Sequence, residues 1–390
     1  MSARTTPVPE DQAPFAAAHA EADHWGRAAK ACLEAIAAAA PSANVGILYA
    51  TETFAPDFAS ILTFLRETTR IETWVGAVAP GICSGAIGLR EGGGLREGGA
   101  LAVMVGALPA EGFRCFSGLD VAAFRTRLGD WVAGHGPCLG LVHGDPRNPG
   151  LPALVGGAAA DFGFLAGGLV SAGAHPAQVA DGVVSGGLSG LLLAASVPAV
   201  CGVTQGCSPI GPVHMVTEAW EGVVMSLDGR PALEVLKDEA GELIARDVKR
   251  AAGYIHVGVP VPGSDTGDYL VRTLLGIDQR QGWIAIGDRF EAGDRLMFVR
   301  RDPAAARADM KRMLADVKRR LDGRPARAAF YATCIGRGRH MFGDDGIEPA
   351  MIRDALGEVP LAGFFANGEI CGGRLYGYTG VLTVLAGEAR

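Results

Sequence analysis

The sequence predicts a mixed α/β fold: two similar lobes of mixed β-sheets flanked by helices, built from repeated strand–helix–strand–strand units. Three observations predict it. Short apolar runs alternate along the chain with segments of helical periodicity. Glycine fills 57 of 390 positions, about twice average usage, and sits between the apolar runs, where tight turns and close backbone approach need it. Two distant stretches also resemble one another. Trp74-Val75-Gly76-Ala77-Val78-Ala79-Pro80-Gly81 and Leu361-Ala362-Gly363-Phe364-Phe365-Ala366-Asn367-Gly368 share Gly, Ala and Gly at the same offsets.

The elements follow in order. Residues 1–10 read as disordered. Residues 14–40 read as a helix, with Phe15, Ala18, Ala22, Trp25, Ala29, Cys32, Leu33 and Ile36 at helical spacing, ended by Pro41-Ser42. Val45–Ala50 is a strand, Asp57–Arg70 a helix and Thr73–Val78 a strand, followed by a turn-rich Ala79–Gly85. Gly88–Gly99 reads as a mobile loop and Ala100–Ala107 as a strand. Leu119–Val132 and Leu151–Ala160 are helical; Cys138–Val142, Phe164–Ala172 and Leu188–Ala195 are strands. Gly222–Leu236 reads as a hairpin turning at Asp228-Gly229. Asp238–Arg250 is a helix, with strands near Ile255–Val259, Tyr269–Leu275, Trp283–Ile286 and Leu296–Arg300. Pro303–Leu321 is an amphipathic helix; Ala328–Thr333, Leu361–Ala366 and Gly380–Leu385 are strands, and Pro349–Leu356 is a helix.

The repeated unit extends beyond the paired octapeptides. Tyr49-Ala50-Thr51 matches Tyr331-Ala332-Thr333 upstream, and Ala100–Val105 matches Gly380–Leu385 downstream. A weaker third copy runs from Leu139 through Phe164–Gly173 to Leu188–Ala194.

Composition narrows the function. A net charge of -7 with no basic stripe argues against nucleic acid. The N-terminus lacks the basic start and apolar centre of a signal peptide. The 8 cysteines are scattered, with no Cys-x-x-Cys pair, which reads as reduced thiols in the cytoplasm. Gly182–Thr217 carries no Asp, Glu, Lys or Arg, but its Gly and Pro residues break it into two buried strands rather than a membrane span. His135, His143 and His175 lack zinc-like spacing, so no metal and no cofactor are expected. The Gly-x-Gly-x-x-Gly, Gly-x-x-x-x-Gly-Lys, His-Glu-x-x-His and Gly-x-Ser-x-Gly signatures are missing.

The glycine bends of the units, with polar residues clustered at their tips, are the candidate site. Glycines there leave backbone N–H groups unshielded for a polar or anionic solute. The candidate ligand-binding residues are Gly81, Cys83, Ser84, Thr333, Cys334, Arg337, Asn367, Gly368 and Glu369. Arg337 suits a carboxylate, and Glu369 suits a ligand ammonium group or an ion pair with Arg337. An acid together with an arginine matches the two charges of an amino acid. Each residue also has a plainer reading, as turn, loop charge or structural ion pair.

Several of these segments resemble the FIST family. Tyr331-Ala332-Thr333-Cys334-Ile335-Gly336-Arg337-Gly338, Gly363 to Ile370 and Tyr378-Thr379-Gly380-Val381-Leu382 resemble its C-terminal domain. Thr204 to Pro212, with Val216-Thr217 and Leu227 to Leu233, resembles the junction of its two parts, and Gly76 to Gly85 its N-terminal domain. The resemblance divides the chain into a tail and helix (1–42), an N-terminal domain (43–218) and a C-terminal domain (219–390). It implies a cytoplasmic sensory module that binds a small molecule, with amino acids as one ligand class, and passes its signal to a signalling protein. It defines no catalytic residues. Two other readings stay open. One is an enzyme with Cys334 as nucleophile, assisted by Glu369 or His340. The other is a protein-interaction scaffold.

Overall fold

The structure is a computed structural model that describes residues 15–91, 95, 98–173, 175, 177–241, 254–261 and 269–388. Most of the helix read over Asp238–Arg250, part of the Gly88–Gly99 loop and the N-terminal tail lie outside the described residues. The chain forms two compact units. The first comprises residues 1–204, 310–375 and 379–390; the second comprises 205–309 and 376–378.

The first unit holds three six-stranded sheets. The first part of the chain gives β1 (Ala16–Ala22), α1 (Trp25–Ile36), β2 (Val45–Thr51), α2 (Phe58–Thr69), β3 (Thr73–Ala79), the hairpin β4 (Gly81–Ser84) and β5 (Ile87–Arg90), and β6 (Gly99–Gly106). The next part gives β7 (Phe113–Gly118), α3 (Val121–His135), β8 (Cys138–Gly144), α4 (Leu151–Phe162), β9 (Gly163–Leu169), the hairpin β10 (Gln178–Ala180) and β11 (Gly182–Val184), β12 (Leu188–Leu193) and β13 (Ala199–Gln205).

The second unit supplies an eight-stranded sheet of β14 (Cys207–Pro209), β15 (His214–Trp220), β16 (Val223–Leu227), β17 (Arg230–Pro231), β18 (Ile255–Pro260), β19 (Tyr269–Asp278), β20 (Trp283–Ile286) and β21 (Arg295–Arg301), with α5 (Ala232–Ala240) after β17. The chain then runs through α6 (Pro303–Leu321), β22 (Ala326–Cys334), the short α7 (Arg339–Phe342), α8 (Ile347–Leu356), β23 (Leu361–Ala366), the hairpin β24 (Glu369–Cys371) and β25 (Arg374–Tyr376), and β26 (Thr379–Ala386).

The three sheets of the first unit share one local order. Each has a parallel pair joined through a helix: β2 with β3, β8 with β9, β22 with β23. Each first strand also pairs antiparallel with a returning strand, β6, β12 or β26. The hairpin after each middle strand leaves its own sheet for another. β4 pairs with β23, β10 with β3, and β24 with β9, so the exchange closes in a ring. Ala79–Gly85, read from sequence as turn-rich, thus contains strand β4.

A glycine recurs at one register position. Gly76 lies opposite Leu48, Gly167 opposite Val142, and Gly363 opposite Tyr331. A Cβ there would come within 1.8, 1.9 and 2.2 Å of the partner's carbonyl oxygen. Only glycine permits that approach.

The inner faces of the three sheets meet in one core that includes Ile47, Met104, Leu141, Leu191, Phe330 and Phe364. The outer faces are covered by helices. In α2, Phe58, Ile61, Leu62 and Leu65 form the buried stripe, and Arg70 ends the helix with left-handed backbone, φ 64°. Each fully buried Phe or Leu contributes roughly 1.5–3 kcal/mol.

Two sequence expectations are corrected. Residues 14–40 are not one helix: Ala16–Ala22 is β1, paired in register with β6, and the helix begins only at Trp25. The side chain of His24 accepts from Gly26 N and starts it. Helical spacing among small alanines gave way to sheet pairing, a case of tertiary context overriding propensity. The hairpin read over Gly222–Leu236 does turn at Asp228 and Gly229, φ 51° and 78°, but its second arm stops at Pro231, and Ala232 begins α5. The charge-free stretch after Gly182 contains β12 and β13 with a turn between them. No described helix is long and apolar enough to cross a membrane.

Candidate functional site

The polar residues singled out in the C-terminal stretch gather where β22 and β23 end, in the first unit. Alternation along β22 sends Tyr331 and Thr333 to the same face, and both donate to Glu348, at 2.8 Å each. Arg337 donates to Glu348 from Nε at 2.8 Å and Nη2 at 2.6 Å. Glu348 stands in the first turn of α8, where the helix dipole favours a carboxylate. Arg337 and Glu348 are out of solvent. Burial opposes the charge of Arg337, but Glu348 more than offsets it and leaves its pKa raised. Arg337 is therefore no exposed loop charge: its close ion pair is with Glu348, and Glu369 adds a further attraction. Arg339 is likewise committed, its Nε donating to Asp345 at 2.8 Å.

Cys334 ends β22, and its sulfur accepts from Gly336 N at 3.4 Å. Arg90 lies nearby, with Nη1 donating to the Ile335 carbonyl at 2.7 Å and Nη2 2.6 Å from His340 Nε2.

Glu369 opens β24 and is wholly buried. Its Oε2 accepts from the Thr379 backbone at 3.1 Å and from the Thr379 hydroxyl at 2.6 Å. Its Oε1 has no nitrogen or oxygen partner among the described residues; the Glu369 carboxyl also interacts with the Cys334 thiol. Burial pushes the Glu369 pKa up to about 8, against the opposing pull of Thr379, the Arg337 charge and the Cys334 thiol. Near neutral pH this carboxyl holds a proton that a ligand base or a rearranged ion pair can take.

The other sequence-predicted residues take different places. Asn367 Nδ2 donates to the Val170 carbonyl at 2.9 Å, and the Gly368 carbonyl accepts from Leu169 N at 2.8 Å; both tie β23 to the sheet of β9. Gly81, Cys83 and Ser84 lie in β4 against β23. A Cβ on Gly81 would meet the Phe365 ring at 2.8 Å, Cys83 packs in the core with Tyr331 and Phe365, and Ser84 pairs with Ala362. The structure thus brings Thr333, Cys334, Arg337 and Glu369 together, and uses Gly81, Cys83 and Ser84 to build the sheet beside them.

Glu348, Thr379 and Arg90 were missed by sequence reasoning. The sequence carries a partial signal for Glu348: a lone acid opening an apolar helix next to a proline. For Arg90 there is none, because it reaches the site across about 250 residues of chain.

A second buried polar pair lies in the core of the first unit. Tyr49 Oη is 3.0 Å from His143 Nε2, and both flank Phe364. They line a cavity of about 20 Å³. His143 Nδ1 has no partner among the described residues, and burial lowers the His143 pKa to about 3.

Comparison with known families finds two domain models along the chain. The FIST N domain model matches residues 44–230, and the FIST C domain model matches residues 232–372. The chain belongs to the FIST family. FIST domains are associated with sensory functions in signal transduction. Uncharacterized proteins of two Mycobacterium tuberculosis strains are 39% identical over 195 residues, which is 48% of this chain and 50% of theirs. An uncharacterized protein of Mycobacterium bovis is 34% identical over 237 residues, 54% of this chain and 61% of its own. The chain thus spans about half the length of the first of these relatives.

Proposed function

We propose that this FIST protein is a cytoplasmic small-molecule sensor whose ligand is taken at Glu369, with amino acids and related amines as the ligand class. The observation that carries the reading is Glu369 Oε1, a buried carboxyl oxygen with no nitrogen or oxygen partner among the described residues, on a side chain that also contacts the Cys334 thiol. Burying a polar group without a partner costs about 1–3 kcal/mol, and a ligand amine that takes the Glu369 proton would form an ammonium–carboxylate pair that removes the penalty. The carboxylate of an amino acid would need Arg337 to exchange Glu348 for the ligand. That exchange would loosen α8, which offers a route from binding to a partner signalling protein. Gly81, Cys83, Ser84, Asn367 and Gly368 would act as the frame of the site.

We also infer that the three strand–helix–strand–strand units are copies of one ancestral unit, supported by their shared glycine register and hairpin exchange. The family's N- and C-terminal parts would then be sequence domains meeting near residues 218–230.

A thermal-shift screen of amino acids and amines tests the reading. Ligand at a hundred times its dissociation constant adds about 2.7 kcal/mol of stability. Glu369→Gln should abolish the response to a hit. No response across the panel, with protein shown to be ligand-free, would reject it.

A cysteine-dependent reaction is the second reading, favoured by the contact of the Cys334 thiol with a carboxyl of perturbed pKa. It requires stoichiometric labelling of Cys334 by iodoacetamide well below pH 8.

A further inference from the structure

An open cleft of about 510 Å³ lies where α6 and α8 end, with all of its wall in the first unit. Its volume falls within the usual range for small-molecule sites, about 300–1,000 Å³. Lys318, Leu321, Arg324, Pro325, Ala355 and Leu356 are among the residues that line it. The charged residues of this wall are both cations, and among the described residues no carboxylate lines the cleft. Local structure puts the cations there. Lys318 and Leu321 stand three apart on α6 and share a face; Leu321 is buried, whereas Lys318 is exposed. Past Leu321 the chain turns through Asp322 and Gly323, both with left-handed backbone, φ 51° and 76°.

Arg324 then folds back over the helix end. Its Nε donates to the Leu321 carbonyl at 3.0 Å and its Nη2 to the Arg320 carbonyl at 3.1 Å. These bonds offset the negative end of the α6 dipole. They also fix a half-buried guanidinium whose Nη1 takes part in neither bond. The other cations nearby are spoken for: Arg319 and Arg320 both pair with Asp316, and Arg353 pairs with Asp354. Lys318, in the same last turn of α6, pairs with no carboxylate among the described residues. Asp322 and Glu358 are exposed neighbours in sequence but do not line the cleft.

We propose that this cleft binds a small organic anion, a monocarboxylate with an apolar body. The carboxylate accepts from Lys318 Nζ and Arg324 Nη1, and the body lies on Pro325, Ala355 and Leu356. A concave wall charged with one sign concentrates the opposite ion, and a guanidinium already held in place suits a planar carboxylate at little ordering cost. Both cations can be reached from solvent, because Lys318 is exposed and Arg324 only half-buried. The apolar part of the wall favours an anion with a carbon body over a bare inorganic one. Because none of these residues belongs to the Glu369 site, the proposal stands or falls apart from the reading above.

The test is a methyl-NMR titration of the full chain, with labelled leucine, using hexanoate, acetate, hexanol and hexylamine at pH 7. Hexanoate should move the Leu356 methyl resonances to saturation. Acetate, which lacks the carbon body, should bind more weakly, and hexanol and hexylamine should leave the methyls in place. Lys318→Gln removes an exposed cation that holds no ion pair of the fold, and should weaken hexanoate binding roughly fivefold. The proposal is overturned if hexanoate leaves the Leu356 methyls unmoved, or if acetate, hexanol or hexylamine binds there as tightly as hexanoate. It is equally overturned if Lys318→Gln binds hexanoate as tightly as the wild type.

Discussion

Arg337 gives two hydrogen bonds to a single oxygen of Glu348, from Nε at 2.8 Å and Nη2 at 2.6 Å, with both side chains shielded from water. Tyr331 shares that oxygen and Thr333 takes the other, so one carboxylate organises the end of β22.

Removing Glu348 alone leaves a buried guanidinium without its counter-charge. Glu348→Ala should destabilise the protein by about 3–5 kcal/mol, read from urea unfolding midpoints. The double variant Arg337→Met/Glu348→Leu should recover most of that loss, because a well-packed apolar pair can replace a buried ion pair at little net expense. Equal destabilisation by the single and double variants would show that packing, not charge, sets the effect.

Glu369 gives the fold a pH signature. Its folded pKa of about 8 lies above the ordinary 4.5, so the folded state holds this proton more tightly than the unfolded state. The carboxyl therefore erodes stability as pH rises from about 4.5 through about 8 and has its full effect above that. Glu369→Gln should be more stable than the wild type at pH 9, by on the order of a few kcal/mol, with the difference shrinking toward pH 5. A difference independent of pH would remove Glu369 as the titrating group.

The Tyr49–His143 pair makes a separate prediction. Tyr49→Phe leaves His143 Nε2 buried with its partner gone and should cost about 1–3 kcal/mol. Because burial lowers the His143 pKa to about 3, the unfolded state takes up a proton before the folded state as pH falls below about 6.5. Stability should then drop between roughly pH 6.5 and 3, and His143→Leu should flatten that part of the profile.

Gly76 and Gly167 test the close approach of the paired strands. Their positive φ values, 154° and 157°, and the 1.8 and 1.9 Å clearance to backbone oxygen leave no room for a methyl group. Gly76→Ala and Gly167→Ala should each abolish soluble expression or lower stability by more than about 4 kcal/mol, the range reserved for named structural failures. Gly134→Ala, where a Cβ meets nothing within 4 Å, is the control.

Much of this fold was legible where two periods differ sharply. Leu361–Ala366 and Trp283–Ile286 read as strands with the bounds the structure has, and Pro303–Leu321 reads as the helix it is. The signal failed at Ala16–Ala22, because alanine carries little preference that pairing with β6 cannot override. It failed in part at Ala79–Gly85, because a glycine-bearing strand inserted into another sheet looks like a turn. The site was half legible. Cys334 and Glu369 were marked by polar residues at the ends of apolar strands, but which acid meets which arginine is a tertiary fact. Glu369 and Glu348 were equally available to Arg337 in sequence, and only the placement of α8 decides for Glu348.

The most direct test follows the Glu369 carboxyl itself. With the side-chain carbon of glutamate labelled, its ¹³C resonance is recorded at pH 7 while the amino-acid and amine panel is titrated. The account predicts that at least one amine-bearing solute moves the Glu369 resonance toward the ionised position, saturably, and that Glu369→Gln no longer binds that solute. A resonance unmoved by every member of the panel, or a solute bound equally well by the variant, would contradict it.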